Sequence, residues 1–299
     1  MQSTQQANQA KGVMLGLFGG LVISFDVPMI RLAESDVWFS MSLRGFCIGA
    51  VFLALYLVGV RNDDMPRHPL KDRDWLTVGL FYGLTNIFFS TAVFSTSTAN
   101  LVFILAFNPM ISALLAWRLI GERPYKATWA AIAATMIGVA IIVSGGLGNG
   151  TYFGDGASIL CSATLAYALV RTRQSGKDLS LAPGLGGLIA GLFALPFALA
   201  DLKMPGQIGW LWANGLILVP VSGFCLALAP RYIPAPQTAI FFLLETVLAP
   251  VWVWYVFSEE PSRQTIIGGS IVLGAVLAHA AWGIARSRRA VPAAAEAAS

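Results

Sequence analysis

Three charged side chains lie inside long apolar stretches of the 299-residue chain: Asp26, Arg44 and Glu245. Charges at the depth of a lipid bilayer are costly, so they either pair with one another or serve a site. Asp26 and Arg44 lie at matching depths in consecutive stretches, which predicts an ion pair between them. That pair is either a fixed structural contact or a switchable one that gates the site or meets the charge of a ligand.

Glu245 is the deepest of the three, eight residues into its apolar stretch. A carboxyl group there can bind an amine or exchange a proton, or it can simply form a hydrogen bond between two helices. Asn108 occupies the equivalent position in an internal repeat of the chain. Two polar groups that face each other across the repeat axis would form a reasonable ligand site.

Neutral polar and aromatic residues in the apolar stretches form a second set of binding candidates. Each is more often a contact between helices than a ligand contact, because such groups also join helices in a bilayer. These candidates are Tyr82, Asn86, Ser112, Ser162 and Asn214. Prolines in the same stretches remove backbone hydrogen bonds and permit bends, either as hinges or as fixed kinks. The hinge candidates are Pro28, Pro109, Pro220 and Pro250.

The elements that must position these residues are membrane helices. The chain is 57% hydrophobic and only 11% charged, which is typical of a polytopic membrane protein and excludes an ordinary soluble domain. A bilayer core needs about 20 apolar residues per helix, and the chain then contains ten spans. The spans are predicted near residues 12–31, 37–60, 75–94, 98–119, 127–144, 152–170, 180–200, 209–229, 237–257 and 265–284. The predicted fold class is therefore an all-α membrane protein.

A short signature occurs twice, 137 residues apart, at the ends of two apolar helices. The two copies share a tryptophan, a glutamate and a proline, which are Trp117, Glu122 and Pro124, and Trp254, Glu259 and Pro261. The duplication predicts two five-helix repeats, 12–144 and 152–284. Because five is odd, the second repeat enters the membrane from the opposite side, which predicts an inverted repeat with a binding site near the midplane.

Lysine and arginine residues predict the orientation. With the N-terminus in the cytoplasm, 15 of them fall in inner segments and 3 in outer segments, as the positive-inside rule requires. Residues 1–11 and 285–299 are then both cytoplasmic tails. The positive charge lies in scattered short loops, so we expect no nucleic-acid partner. The expected partners are the lipid bilayer and a small molecule.

Residues typical of enzymes and metal sites are scarce. The chain has two histidines, and no His, Cys and Asp cluster has metal-ligand spacing. The sequence contains neither a Gly-x-Ser-x-Gly turn nor a Gly-rich phosphate loop. We therefore expect no catalysis, no cofactor and no metal. The three cysteines fall inside spans and are expected to be small core residues.

The duplicated signature resembles that of a known family. An apolar span with Asn-Pro or Glu near its middle, a Gly-Glu-Arg-type turn at its end and the Arg44-Gly45 pair resemble the drug/metabolite transporter superfamily. The similarity is strongest to its EamA-like ten-helix branch. That branch often has Glu-Pro in both signature spans, whereas this chain has Asn108-Pro109 in one and Glu245-Thr246 in the other.

The resemblance implies a secondary transporter of the inner (plasma) membrane, which exports small metabolites by alternating access through a cavity between the repeats. Amino acids, including aromatic ones, are the implied substrate class. Another solute class, a nucleotide-sugar or a drug-like cation, is the alternative, and a channel is a more distant one. A coupling proton is compatible with Glu245. One chain is sufficient in principle, and an oligomer is left open.

Overall fold

A computed structural model of the protein describes residues 2–59, 68–96, 101, 104–144, 151–257 and 263–289. All regular elements in these ranges are helices, which agrees with the predicted all-α fold. The α-helices are α1 (Gln2–Ile23), α2 (Asp26–Ala33), α3 (Val37–Leu57), α4 (Arg73–Ser95), α5 (Asn108–Ile120), α6 (Lys126–Ser144), α7 (Tyr152–Ser175), α8 (Ala182–Ala200), α9 (Ile208–Ala213), α10 (Val219–Leu228), α11 (Ala235–Phe257) and α12 (Arg263–Arg289). A π-helical segment, Asn214–Leu218, joins α9 to α10.

Seven helical stretches of the described residues are long and apolar enough to cross a bilayer. They are Gln9–Ala33, Val37–Leu57, Arg73–Ser95, Tyr152–Ser175, Ala182–Ala200, Ile208–Arg231 and Ile266–Ala285. The other three predicted spans correspond to shorter described stretches, which are α5, Lys126–Ile142 and Ala235–Leu248. The protein is therefore a multi-pass membrane protein, and the number of ten spans stays a prediction.

Three interruptions of the regular α-helix occur just before prolines. Proline lacks an N–H group, and its ring clashes with the carbonyl group four residues earlier, so the α-helix is disrupted at that point. The interruptions are the turn at 24–25 before Pro28, the turn at 106–107 before Pro109 and the π-helical segment before Pro220. Three of the four hinge candidates thus follow an interruption, whereas the backbone of α11 stays helical through Pro250.

The interruption between α1 and α2 is held by a residue of α11. The Ser24 hydroxyl donates to the Leu21 carbonyl at 2.6 Å and accepts from the indole Nε1 of Trp252 at 2.9 Å. The ring of Phe25 stacks on the same indole, with 4.2 Å between centroids. These contacts satisfy the hydroxyl at the turn and fix the direction in which α2 leaves it.

The two halves of the chain pack through matching helix pairs. Helix α4 packs against α7 as α1 packs against α10, and α5 packs against α7 as α1 packs against α11. The pairs α3–α8 and α6–α12 each join one half to the other and cross at glycines. A Cβ on Gly45 would lie 2.5 Å from the Gly187 carbonyl oxygen, and a Cβ on Gly138 would lie 2.7 Å from that of Gly268. This packing fits two repeats related by a two-fold axis.

Two apolar clusters surround the space between the halves. The larger includes Leu226, Phe241 and Val276, and the second includes Val78 and Leu169. Because lipid is as apolar as the side chains, close packing rather than burial from water holds such helices together. These packed clusters hold the helices that carry the polar residues of the site.

Candidate functional site

A cavity of about 370 Å³ lies between the two halves. Apolar residues form just over half of its lining, and polar residues are interspersed among them, as in many small-molecule sites. Six of the predicted site residues line it: Asp26, Arg44, Tyr82, Asn86, Asn108 and Glu245. The structure thus brings the predicted ion pair and the two equivalent positions of the duplication to one space.

Asp26 and Arg44 form the predicted ion pair, and Asn214 completes it. The Arg44 guanidinium donates from Nη2 to Asp26 Oδ1 at 2.7 Å and from Nε to Asn214 Oδ1 at 2.7 Å. The Asn214 amide in turn donates to Asp26 Oδ1 at 2.6 Å. All three residues are buried, with at most 7% of their surface exposed. Buried charges need this kind of full hydrogen bonding to offset their desolvation.

Glu245 lines the same cavity and takes no part in these contacts. In the described ranges its carboxylate has no hydrogen bond and no ion-pair partner, although the residue is half-buried on α11 and lines the cavity. A carboxylate in such a position is available to a cation or a proton.

Asn108 is held in place at the first turn of α5. Its Nδ2 donates to the Ser162 carbonyl oxygen at 2.8 Å, and the Ser112 hydroxyl donates to its Oδ1 at 3.5 Å. Ser112 and Ser162 are fully buried and do not line the cavity. In this conformation they lie behind the wall, as Asn214 does, and orient residues that line it.

The wall formed by α4 carries three further polar groups. The Tyr82 hydroxyl is buried without a hydrogen-bond partner among the described residues. The Asn86 amide donates to the Tyr82 carbonyl at 3.1 Å, which leaves its own oxygen available to the cavity. Thr85 bonds to the Phe81 carbonyl and to the Thr164 hydroxyl.

Five polar lining residues are not among the candidate site residues given above: Arg31, Thr85, Cys161, Ser222 and Thr246. Arg31 was assigned to an outer segment and Cys161 to the core. Cys161 lies one turn from Leu165 on the same face of α7, and both line the cavity. Within the described ranges, no group of three or more His, Cys, Asp or Glu side chains could hold a metal ion.

Ion pairs join the two halves at the end of the bundle where α4 begins. Lys177 donates to Asp72 Oδ2 at 2.7 Å and to Asp74 Oδ2 at 2.9 Å, and Arg171 donates to Asp74 Oδ1 at 2.7 Å. Burial opposes ionisation of Asp72, but hydrogen bonds from Lys177 and from two backbone N–H groups outweigh it and lower the pKa of Asp72. Hydrogen bonds to Asp72 and Asp74 raise the pKa of Lys177.

The first copy of the duplicated signature forms an ion pair at the same end of the bundle. Gly121 ends α5 in the left-handed region, with a φ of 71°, which turns the chain so that Glu122 meets α7. Arg173 donates from Nε to Glu122 Oε1 at 2.9 Å and also to the Arg231 carbonyl at 3.3 Å. In the second copy, Glu259 and Pro261 lie outside the described residues.

Comparisons with known proteins agree with this architecture. The sequence profile of the EamA-like transporter family matches residues 10–144 and 156–279. An uncharacterized transporter of Archaeoglobus fulgidus is 29% identical over 237 residues, which cover 76% of this chain and 81% of that protein. A protein of known crystal structure superposes with a TM-score of 0.73 at 17% identity, over 93% of this chain and 98% of the other, which shows a shared fold.

Proposed function

From the premise that the chain belongs to the EamA-like transporter family, whose members move small solutes across membranes, we propose that it exports small metabolites by alternating access through the cavity between its halves. One observation carries this proposal. Asn108 and Glu245, the equivalent positions of the duplication, line the same cavity. In transporters built from inverted repeats, the solute site lies at that interface.

The proposed topology is the one that the charges predict: ten helices in two inverted repeats, with both termini in the cytoplasm of an inner (plasma) membrane. The end that carries Asp74, Lys177 and the Glu122–Arg173 pair is then cytoplasmic. Along α4, the first lining residue is Tyr82, which lies ten residues and about 15 Å from Asp72. This supports an outward-facing state in which the ion pairs close the cytoplasmic side.

Amino acids, including aromatic ones, are the proposed substrate class. Glu245 offers a carboxylate to an ammonium group, and Phe89, Phe242 and Tyr82 line the cavity beside apolar residues. The unpaired carboxylate favours a drug-like cation as the second candidate and disfavours the anionic nucleotide-sugars. The ion pairs at one end favour a transporter over a channel, since a carrier must close one side at a time. We propose no catalytic role, no cofactor and no nucleic-acid partner, and a pathway complete within one chain.

Transport by the purified chain in liposomes tests the proposal. We expect saturable uptake of at least one amino acid from a labelled panel, stimulated by unlabelled solute on the opposite side, as alternating access requires. A pH gradient across the membrane then shows whether a proton is coupled. Empty liposomes correct for leakage. If neither an amino acid nor an organic amine is carried, the proposed function is wrong.

A further inference from the structure

The duplication relates the two walls of the cavity residue by residue. Three lining residues of α4 have equivalents in α10, 137 residues later, that line the cavity as well. These pairs are Tyr82 and Val219, Asn86 and Gly223, and Phe89 and Leu226. In the stretches that end in the duplicated signature, two more pairs line it: Leu105 and Phe242, and Asn108 and Glu245. The constant spacing therefore describes the wall of the cavity as well as the sequence.

One position breaks this match. Leu101 lines the cavity, whereas its equivalent, Thr238, is fully buried in the first turn of α11 and does not line it. The Thr238 hydroxyl has no hydrogen-bond partner among the described residues. A buried hydroxyl without a partner is unfavourable, and native structures contain few of them. Thr238 is therefore poorly suited to the conformation in which it is buried.

Thr238 lies between the cavity and the end of the bundle that carries the ion pairs. Helix α11 begins at that end, because Arg173 donates to the carbonyl of Arg231, four residues before the helix. Thr238 precedes Glu245 by seven residues, nearly two helical turns. The two side chains therefore project from the same face of α11, about 10 Å apart along the helix axis.

The residues beside Thr238 are packed tightly. Ala235 and Ala239, which are its neighbours on α11, are fully buried in the second apolar cluster. Tyr82 and Leu165 line the cavity and belong to the same cluster. The cluster thus starts at the cavity wall and includes the first turn of α11. Packed side chains therefore separate Thr238 from the cavity in this conformation.

In a transporter built from inverted repeats, the two repeats exchange arrangements between the access states, so equivalent residues exchange surroundings. We infer that Thr238 lines the solute path in the inward-facing state, where its hydroxyl bonds to water or to the solute, and that Leu101 is then buried. The inference rests on the proposed function and adds a polar contact that the solute meets only on the cytoplasmic side. It also gives the unpartnered hydroxyl a partner in one of the two states.

Labelling of single cysteines from each side of the membrane tests the inference. The chain has its three native cysteines replaced by alanine, and the probe is a membrane-impermeant methanethiosulfonate that carries a sulfonate. We expect Leu101→Cys to react from the outside alone and Thr238→Cys from the cytoplasmic side alone. Leu244→Cys is the control, because Leu244 is fully buried on α11 and neither it nor its equivalent Phe107 lines the cavity. It should be protected from both sides.

A second measurement keeps the test valid if Thr238→Cys does not insert into the membrane. Ala235→Cys, one turn nearer the cytoplasm on α11, reports the same opening. Thr238→Val removes the unpartnered hydroxyl and so favours the closed arrangement, which should slow labelling of Ala235→Cys at least about fivefold. Thr238→Ser keeps the hydroxyl and should leave the labelling rate nearly unchanged.

The outcomes separate the inference from the proposed function. If Thr238→Cys reacts from the outside or from neither side, or if Thr238→Val and Thr238→Ser give equal labelling rates, the inference is overturned. The proposed function then stands as long as the liposomes take up a solute. If they take up none, and Leu101→Cys and Ala235→Cys react from the same side, both are overturned.

Discussion

The substitution Asn214→Ala tests whether the Asp26–Arg44 pair depends on its third member. Asn214 accepts from Arg44 Nε at 2.7 Å and donates to Asp26 at 2.6 Å, and its side chain is fully buried. Alanine removes both bonds, which leaves Arg44 Nε without its acceptor and leaves Asp26 Oδ1 with the bond from Arg44 Nη2 alone. We expect a loss of stability rather than a loss of the ion pair itself, because Arg44 and Asp26 still contact each other directly.

The magnitude follows from measured ranges for such bonds. Hydrogen bonds between membrane helices contribute about 0.6 kcal/mol on average and at most about 1.7 kcal/mol. Bonds to charged groups are the stronger ones, at about 1.5–3 kcal/mol in soluble proteins. Both Asn214 bonds are buried and go to charges, so each should lie near the upper membrane value. The two together predict a loss of about 3 kcal/mol.

Asn86→Ala is the matched control for the same amide-to-methyl change. The Asn86 amide makes a single neutral bond at 3.1 Å to the Tyr82 carbonyl one turn earlier in its own helix. Its removal should cost no more than about 0.6 kcal/mol. Equilibrium unfolding in mixed detergent micelles measures both free energies. If Asn214→Ala loses no more free energy of unfolding than Asn86→Ala, the assigned role of Asn214 is wrong.

Two further substitutions test the packing and the cytoplasmic ion pairs. Gly45→Ala places a methyl group 2.5 Å from the Gly187 carbonyl oxygen, so it should lower the free energy of unfolding by about 1–3 kcal/mol. Gly274→Ala is the control, because a methyl group there meets nothing within 4 Å and should leave that free energy unchanged. Equal effects of the two substitutions would contradict the close helix crossing. The lowered pKa of Asp72 stabilises the fold above its ordinary value of 3.8, and the contribution is lost as the pH falls through the folded-state pKa. The raised pKa of Lys177 stabilises the fold below 10.5, and that contribution is lost as the pH rises through the folded-state pKa. Lys177→Gln should therefore lower the melting temperature at intermediate pH and low salt but not at either extreme, and a constant difference at every pH would refute this pairing.

Several parts of the site were predictable because they depend on short-range information. Hydropathy marks the helices, and the distance of Asp26 and Arg44 from the ends of consecutive spans was enough to pair them. Prolines indicated where three helices are interrupted, since proline acts on the carbonyl group one turn earlier. The duplication placed Asn108 and Glu245 at equivalent positions, and the structure has both in one cavity.

Other parts could not be predicted from the order of residues. Asn214, Ser112 and Ser162 were candidates for ligand contact, and in this conformation they lie behind the cavity wall. A polar residue in a membrane helix gives the same signal in either position, because bonds between helices and bonds to a ligand use the same groups. The rotation of each helix about its axis separates the two cases, and that rotation is decided by packing.

The sequence by itself determined the membrane helices, the duplication and the family, because each is written in local composition or in motifs at a constant spacing. Tertiary structure alone decided which residue completes the Asp26–Arg44 ion pair. Asn214 is separated in sequence by 188 residues from Asp26 and by 170 from Arg44. Helix propensity and hydropathy depend on neighbouring residues, so they do not predict a contact between residues so far apart in the chain. Among the described residues, helix packing leaves Glu245 without an ion-pair partner in the cavity wall, so its carboxylate is available to a solute or a proton.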